Sequence, residues 1–449
     1  MTTVKKLFVF AHLDQAWEPC GRLTLTEEGA DLQAAEFAYG LNYLKRPNAI
    51  EVDPVSLSLS DKTAVRKKTL YPAGDLLLFG GVRDAAPDAW GRRVIEAKLK
   101  VPANSLPESA YLLHAGSDRV GALDVRDSLN ALPRPGLSHW NSLEYLMEAA
   151  ARIEEGQPVP THLDAIFEAG SALGGARPKA SVRDGRGLLW LAKFSSAGDA
   201  FNVPMIEASA LQLAREAGLQ VPEVRFQAIG NRTVLLIQRF DRYWAEPDHL
   251  MTQALPADLL ATGPGGATVE KRLAFISGLT LLGCDEMASR SKAYADLAQA
   301  IRRYGHPTVI RQDNEELFRR MIYNIFVSND DDHLRNHGFL WDPRLPGWRL
   351  SPLYDVLPRP GVAFERFLHL GVGPQGRAAT LDNAFAARDM FTLNPAKAAE
   401  IMATVWAKVR EWKVFFENQG VPADQIERVA TAFRHIDDVS SAPLRRKLP

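Results

Sequence analysis

Cysteine is scarce in this sequence, and so are the other features that would mark a specialised class of protein. Cys20 and Cys284 are the only cysteines in 449 residues, so neither a disulfide framework nor a four-ligand zinc site can be read from them. Lys plus Arg (53) and Asp plus Glu (54) nearly cancel, so net charge does not draw the chain to nucleic acid. No apolar run approaches the ~20 residues that span a bilayer. We therefore expect a cytoplasmic protein without membrane contact.

The composition is that of an ordinary globular protein, with 46% hydrophobic and 24% charged residues. A chain of this length predicts two or three domains. The first segment, residues 1–135, mixes apolar runs such as 7–11 and 75–79 with Gly and Pro, which predicts short strands and a helix or two. The prolines and glycine of 132–136 indicate a connector, so we place a domain boundary there.

Residues 136–242 predict a small α/β part. A glycine loop at 170–179 precedes two strand-like runs joined by the turn Asp184-Gly185, which is a hairpin signal. Lys193 stands near the end of the second run. A helix is expected from 204 to 217 because Pro204 suits its first turn and Gly218 its end. Two more strands, 223–229 and 233–237, lead into a connector at 238–242.

Residues 243–449 predict an all-helical lobe. Leu317, Met321 and Ile325 lie at helical spacing beside other apolar residues, and that helix leads directly to a cluster of aspartates. Asn394-Pro395 indicates the start of a helix that reaches about residue 412, and another helix is expected over 422–435. Apolar strands are expected at 338–341 and 350–354. The fold class is thus α+β, with a two-lobed, protein-kinase-like plan.

Phosphoryl transfer from ATP needs backbone amides and a cation at the phosphates, oxygen ligands for magnesium and a residue that orients the nucleophile. Gly174 and Gly175 permit the backbone shapes of a phosphate loop, although a glycine pair alone is also typical of an ordinary turn. Lys193 would need an anion if buried, and ATP phosphates or Glu207 could supply it. The alternative is a strand-end lysine that reaches solvent.

Asp331 and Asn336 have the D-x-x-x-x-N spacing of a kinase catalytic loop. Asp331 would accept the proton of a hydroxyl, and Asn336 and Asp355 would offer oxygens to magnesium, a hard-ligand cation. A solvated turn or a calcium loop is the alternative, but the central glycine and the bidentate glutamate of an EF-hand are missing. Asp330 and Asp332 are expected to be solvated neighbours.

Together these residues resemble the HipA family of serine/threonine kinase toxins from type II toxin-antitoxin modules, over nearly the whole chain. The resemblance implies that Asp331 is the catalytic base and that Asn336 and Asp355 hold Mg²⁺. It implies autophosphorylation at Ser171, with Ser181 as a weaker candidate. It further implies nucleotide contacts from the glycine loop, Lys193, the connector and the catalytic loop, namely Gly174, Gly175, Ala176, Arg177, Pro178, Lys179, Lys193, Gln238, Arg239, Phe240, His333, Leu334, Arg335, Asn336, Tyr354 and Asp355.

The same resemblance implies a protein substrate and a partner. Family members phosphorylate an aminoacyl-tRNA synthetase such as glutamyl-tRNA synthetase, which stops translation, and a HipB-like helix-turn-helix antitoxin restrains them and supplies most of the contact with operator DNA. Partner contacts are expected in the N-terminal segment that includes residues 87–92. Two other functions stay open: a small-molecule phosphotransferase of kinase-like fold, and a catalytically dead corepressor subunit.

Overall fold

The computed structural model describes residues 1–136, 140–246, 268–342 and 345–449, except for the side chain of Asn141. Within these residues the chain forms two compact units. The first unit draws on Met1–Ala197, Leu236–Ile276 and Leu340–Leu345, and the second on Gly198–Leu235, Ser277–Phe339 and Pro346–Pro449. In the part of the chain described, no helix combines the length and the hydropathy needed to cross a membrane.

The strands in chain order are β1 (Thr2–Leu13), β2 (Ala16–Glu28), β3 (Asp31–Tyr39), β4 (Leu123–Arg126), β5 (Lys179–Arg183), β6 (Leu189–Lys193), β7 (Val224–Ile229), β8 (Arg232–Gln238), β9 (Arg242–Ala245), β10 (Val269–Arg272), β11 (Phe275–Ser277), β12 (Gly338–Trp341) and β13 (Trp348–Leu350). The α-helices are α1 (Leu41–Leu44), α2 (Lys62–Val65), α3 (Gly80–Ala85), α4 (Ala89–Leu99), α5 (Glu108–His114), α6 (Leu143–Glu154), α7 (Ile166–Ala169), α8 (Val203–Glu216), α9 (Gly278–Leu281), α10 (Glu286–Ser289), α11 (Tyr294–Tyr304), α12 (Ile310–Val327), α13 (Leu381–Ala386), α14 (Pro395–Val409), α15 (Trp412–Asn418), α16 (Ala423–Val429), α17 (Ile436–Val439) and α18 (Ala442–Arg445). Short 3₁₀ helices cover Trp140–Ser142, Thr161–Leu163, Leu334–Asn336, Arg388–Phe391 and Ala430–Ala432.

The first unit begins with an antiparallel four-stranded sheet of order β3-β2-β1-β4. The period-2 pattern of a sheet explains it, because Leu23 and Leu25 alternate with exposed or half-exposed residues and are fully buried. The predicted strand at 7–11 is confirmed as part of β1. The expected strand at 75–79 is wrong: this stretch forms turns, because Phe79 caps the start of α3 and Gly80 already belongs to that helix.

The predicted hairpin is confirmed in the first unit. β5 and β6 pair antiparallel. Their turn is closed by the amide of Gly187, which donates to the carbonyl oxygen of Asp184 at 2.9 Å, and by the indole of Trp190, which donates to the Asp184 carboxylate at 3.2 Å. In strand order β6 lies between β5 and β8.

The second unit is dominated by helices, and the predicted ones at 204–217 and 317–326 are confirmed as α8 and α12. The Asn202 side chain caps α8 by accepting the amide of Met205. The apolar stripe of α12 is buried, and α12 packs against α11 and α14. Asn394 caps α14 as predicted by accepting the amide of Lys397. The helix that leads to the aspartate cluster is therefore held in the core of this unit.

Three expectations about the second half of the chain need correction. Residues after 242 are not all-helical, since β9 to β13 form there, and each of these strands except β10 contains an aromatic residue, a type that favours strands. The expected strand at 350–354 stops at Leu350, because Pro352 has no amide to donate to a ladder. The expected helix at 422–435 ends at Val429, and a 3₁₀ turn then releases Phe433 to stack on Trp412 with ring centroids 3.8 Å apart.

Candidate active site

The glycine loop, residues 171–179, lies in the first unit between α7 and β5. Gly175 has φ +76°, a conformation that favours glycine, and a Cβ there would come within 2.5 Å of the Lys179 ammonium nitrogen. That ammonium donates to the carbonyl oxygen of Gly174 at 2.7 Å. Residues 174–176 are exposed, whereas Pro178 and Lys179 are buried. The loop therefore presents main chain to solvent above a buried cation.

Lys179 and Lys193 are directly opposite each other across the hairpin. Residues opposite each other in an antiparallel pair share a face of the sheet, and both side chains are only 7% exposed. Like charges in this arrangement are destabilising, and burial of an ammonium is costly unless an anion is near. The sequence had indicated Lys193 as a separate lysine. The register is centred on residue 186, in the middle of the five-residue connection 184–188, so counting outward from Asp184-Gly185 would have placed Lys193 opposite Ala176 instead.

The connector after β8 is held by ion pairs inside the first unit. The guanidinium groups of Arg239 and Arg242 contact the Asp241 carboxylate at 2.6 and 2.7 Å. Burial alone would raise the pKa of Asp241, but the two arginines outweigh it and hold the pKa well below its ordinary value. The Arg239 amide also donates to the carbonyl oxygen of Leu189 at 2.9 Å. The Arg239 side chain is thus engaged within the unit.

Gln238 and Phe240, the other connector residues predicted to contact the nucleotide, are partly or wholly covered by neighbouring residues. Gln238 is buried, and the Phe240 ring packs beside Phe275 on a cluster of apolar side chains, namely Tyr243, Ala245, Leu273 and Leu340. A chain segment fixed in this way can present its main chain in a defined geometry. The adenine-binding role of 238–240 stays a prediction.

Ser171, the predicted autophosphorylation residue, is buried at the start of the glycine loop with 2% exposure. Its hydroxyl oxygen accepts the amide of Gly116 at 3.3 Å. Ser181, the weaker candidate, lies on β5 and is also buried. A phosphate could reach either hydroxyl only after the surrounding backbone had moved.

The aspartate cluster lies in the second unit, directly after α12. That helix ends at Val327, and the residue that caps it, Ser328, has φ +51° and turns the chain. Asp331 is 51% exposed, and its carboxylate accepts from the Arg359 guanidinium at 2.6 Å. Arg359 also contacts Asp330 at 3.3 Å. Asp331 is thus accessible at the end of a buried helix, where a bound substrate could come within hydrogen-bond reach of it.

The six-residue loop from Asp331 to Asn336 is held by its own main chain. The His333 amide donates to the Asp331 carbonyl oxygen at 2.8 Å, and the Asn336 amide donates to that of His333 at 2.8 Å. The Asn336 side-chain nitrogen donates to the Asp331 carbonyl oxygen at 3.1 Å. The predicted spacing therefore does bring Asp331 and Asn336 together, and the Asn336 side-chain oxygen is the atom that could bind a cation.

Tyr354 and Asp355 follow on the segment after β13. The Tyr354 hydroxyl donates to the Arg335 carbonyl oxygen at 2.6 Å, which fixes this segment to the loop 331–336. Asp355 is exposed and has φ +59°, a conformation rarely adopted by a non-glycine residue. Such outliers cluster at functional sites. Leu334 lies within the loop 331–336, and its fully buried side chain holds the loop against the rest of the second unit.

Asp332 is not a solvated neighbour, contrary to the expectation. It is 1% exposed. Its carboxylate accepts hydrogen bonds from the hydroxyl of Tyr294 and from the side-chain amide of Asn324, the latter at 2.7 Å, and it contacts the His337 ring nitrogen at 3.0 Å. Burial alone would raise the pKa of Asp332, but the attraction of His337 and hydrogen bonds from His337 and Tyr294 lower it. Asp332 is therefore a buried anchor of the loop 331–336, which sequence spacing alone did not distinguish.

The donor set suits magnesium. Among the described residues there is no group of three or more His, Cys, Asp or Glu that could hold a metal ion. Magnesium does not need one, because it is commonly bound by one or two protein oxygens together with phosphates and water. An Asn336 amide oxygen and an Asp355 carboxylate fit that requirement chemically.

A glycine loop before a lysine-bearing hairpin, followed by an Asp-x-x-x-x-Asn loop after a buried helix, defines a kinase-like class of protein. The model of the HipA-like C-terminal domain family matches residues 171–413, which is more than half of the chain. The chain belongs to this family. Y4mE of Sinorhizobium fredii, which is named as a candidate kinase, is 28% identical over 151 residues, and the match covers 34% of this chain and 31% of Y4mE. The chain thus aligns with about a third of that relative.

Two solved structures match the chain to different degrees. HipA of the Shewanella oneidensis MR-1 toxin-antitoxin system, solved with HipB and operator DNA, has a TM-score of 0.62 at 15% identity and covers 96% of this chain and 95% of that one. This likeness shows a shared fold and confirms the α+β fold class. The Helicobacter pylori proinflammatory kinase CtkA has a TM-score of 0.37 at 14% identity over 58% of this chain and 92% of that one, too low for any conclusion.

Proposed function

We propose that this protein is an ATP-dependent serine/threonine protein kinase that acts as the toxin of a toxin-antitoxin pair. The observation that carries the proposal is the buried, same-face pair of Lys179 and Lys193 behind the glycine loop. Two buried lysines on one face of the hairpin, next to an exposed glycine loop, suit the phosphates of a nucleotide. Membership of the HipA-like C-terminal domain family supports the same activity.

In the proposed reaction, Asp331 accepts the proton of an acceptor serine hydroxyl. The serine oxygen forms a bond to the γ-phosphorus of ATP, and the bond from that phosphorus to the bridging oxygen breaks, which releases ADP. Lys179 and Lys193 hold the phosphates, and the exposed main chain of Gly174 and Ala176 lies beside them. Mg²⁺, held by Asn336 and Asp355, would neutralise charge on the phosphate oxygens.

An exposed apolar surface supports a protein acceptor over a small molecule. Arg359, which contacts Asp331, opens a segment in which Val362, Phe364 and Phe367 are exposed. Arg366 holds this segment in place by donating to the carbonyl oxygens of Gly361 and Thr431 at 2.7 and 2.6 Å. Exposed apolar groups on an ordered segment are typical of protein-binding surfaces.

We further propose a helix-turn-helix antitoxin of the HipB type as partner, with operator DNA contacted mainly through it. The Shewanella oneidensis HipA was solved with HipB and its operator DNA.

The acceptor is a protein serine, with an aminoacyl-tRNA synthetase such as glutamyl-tRNA synthetase as first candidate, and its modification would stop translation. Ser171 is the proposed autophosphorylation residue. Phosphoproteomics after expression of the wild type and of Asp331→Ala would identify the acceptor.

Lys193→Met is expected to lower phosphoryl transfer by ~100-fold or more, since a preorganised cation at the phosphates is lost. The measurement is transfer of label from [γ-³²P]ATP and Mg²⁺ to protein, with purified full-length chain. Lys68→Met, at an exposed lysine of the same unit, is the matched control and should retain the wild-type rate.

Other outcomes would overturn the proposal. Label that reaches only a small-molecule hydroxyl would establish the phosphotransferase alternative. A wild type that neither binds ATP nor transfers label, yet represses an operator with its partner, would establish the corepressor alternative.

A further inference from the structure

The start of helix α4 is built into the glycine loop. Asp88 caps this helix by accepting the amide of Ala89 at 2.8 Å, and Trp90, two residues further on, is fully buried. We refer to residues 87–92 as the clasp. Trp90 and Gly91 are buried inside the first unit, and the partner contacts that the resemblance implies for this segment stay a prediction. The contacts of these two buried residues are with residues ~85 positions later in the chain.

Four hydrogen bonds join the clasp to the loop. The Asp88 amide donates to the Leu173 carbonyl oxygen at 3.4 Å, and the Gly175 amide donates to the Asp88 carboxylate at 3.2 Å. The Trp90 amide donates to the Gly175 carbonyl oxygen at 2.9 Å, and the Trp90 indole donates to that of Lys179 at 2.8 Å. These bonds reach the beginning, the tip and the end of the loop.

Close packing adds to these hydrogen bonds. A Cβ on Gly91 would lie 2.6 Å from the carbonyl oxygen of Leu173 and 2.9 Å from that of Ser171. The backbone of α4 thus touches the loop at a distance that only glycine permits. The loop contains two glycines and would otherwise be conformationally free, so its shape depends on the rigid helix end against which it lies.

We infer that Asp88 and Trp90 are positioning residues that hold the glycine loop, and with it the Lys179 ammonium, in the shape that binds a nucleotide. The inference rests on the proposed function. Asp88 fixes the loop through the Gly175 amide. Trp90 fixes the main chain of Lys179, whose side chain is one of the two buried cations. Neither clasp residue needs to touch the nucleotide for the loop to depend on it.

The test compares Trp90→Phe, which keeps an aromatic ring but loses the indole N–H, with the wild type. Loss of one hydrogen bond to a buried carbonyl corresponds to roughly a 5- to 10-fold change. We expect KM for ATP and the directly measured Kd for ATP with Mg²⁺ to rise by about that factor, with kcat within about twofold. Trp190→Phe is the matched control, because it loses a similar indole bond at the far end of the hairpin.

Asp88 is tested by a pair of variants. Asp88→Ala removes the acceptor for the Gly175 amide and should raise KM for ATP by a similar factor, whereas Asp88→Asn keeps an acceptor oxygen and should restore the wild-type value. Asp61→Ala, which removes the cap of α2 without contact to the loop, controls for loss of a helix cap. A general folding defect would raise KM in the control as well.

Hydrogen exchange of the loop amides separates this inference from the proposed function, because it needs no nucleotide. Faster exchange over residues 171–179 in Trp90→Phe and Asp88→Ala, and not in the two controls, supports the clasp. Unchanged exchange overturns it, even if the wild type is an active kinase. A wild type that does not bind ATP overturns the proposed function, and with it the claim that the clasped shape serves a nucleotide.

Discussion

Asp331→Asn is expected to lower phosphoryl transfer by ~10²- to 10⁴-fold, the range that a general base contributes. Asparagine has nearly the same shape but cannot take up a proton at neutral pH. The structural cost should be small, because Asp331 is half exposed and its ion pair with Arg359 is of the solvent-screened kind worth at most ~1 kcal/mol. Affinity for ATP should therefore stay near that of the wild type.

Asp330→Asn is the matched control for this experiment. Asp330 is exposed to nearly the same extent as Asp331 and shares the same arginine, but it lacks the five-residue spacing to Asn336. Rates come from single-turnover transfer of label, and stability from thermal unfolding of each variant. If the Asp330 variant were the inactive one, or if both retained the wild-type rate, Asp331 would not be the base.

Asp332→Ala is expected to lower the free energy of unfolding by ~3–5 kcal/mol, as loss of one partner from a buried charged network does. Three donors, from Tyr294, Asn324 and His337, would be left without their acceptor. The catalytic loop would lose its anchor as well, so activity should fall along with stability. Urea-induced unfolding of the full-length chain measures the change. Asp331→Ala should change the unfolding free energy by less than ~1 kcal/mol.

The pH dependence of stability offers an independent check on Asp332. Its pKa is lowered in the folded protein, so its contribution to stability is fully present above the ordinary carboxyl pKa of ~4. That contribution is lost as the pH falls through the folded pKa. Asp332→Asn cannot titrate, so its stability relative to the wild type should improve below pH ~4. Parallel pH profiles for the two proteins would contradict the network.

Local patterns in the sequence were enough to predict the elements that carry the proposed site. The apolar stripe of α12, the cap of α14 and the hairpin turn each act over a few residues, so they survive in the folded chain. Asp332 was misjudged because its burial depends on Tyr294, which lies 38 positions earlier. The strand expected at 350–354 was wrong because it was inferred from an apolar run. Hydropathy carries no information about the amide that Pro352 lacks and a strand needs. The contact of the clasp with the glycine loop was not predicted for a related reason, since Trp90 and Lys179 are 89 positions apart.

The facing lysines of the hairpin have a consequence for how long the protein survives in a cell. A ligand that binds the folded chain stabilises it by mass action, and under the proposed function a nucleotide whose phosphates are held by Lys179 and Lys193 is such a ligand. Proteases degrade chains that open transiently, so a nucleotide bound at the hairpin should lengthen the lifetime of the protein. Under the proposed function, its abundance would follow the energy charge of the cell: starvation would shorten its lifetime, and recovery of ATP would restore it.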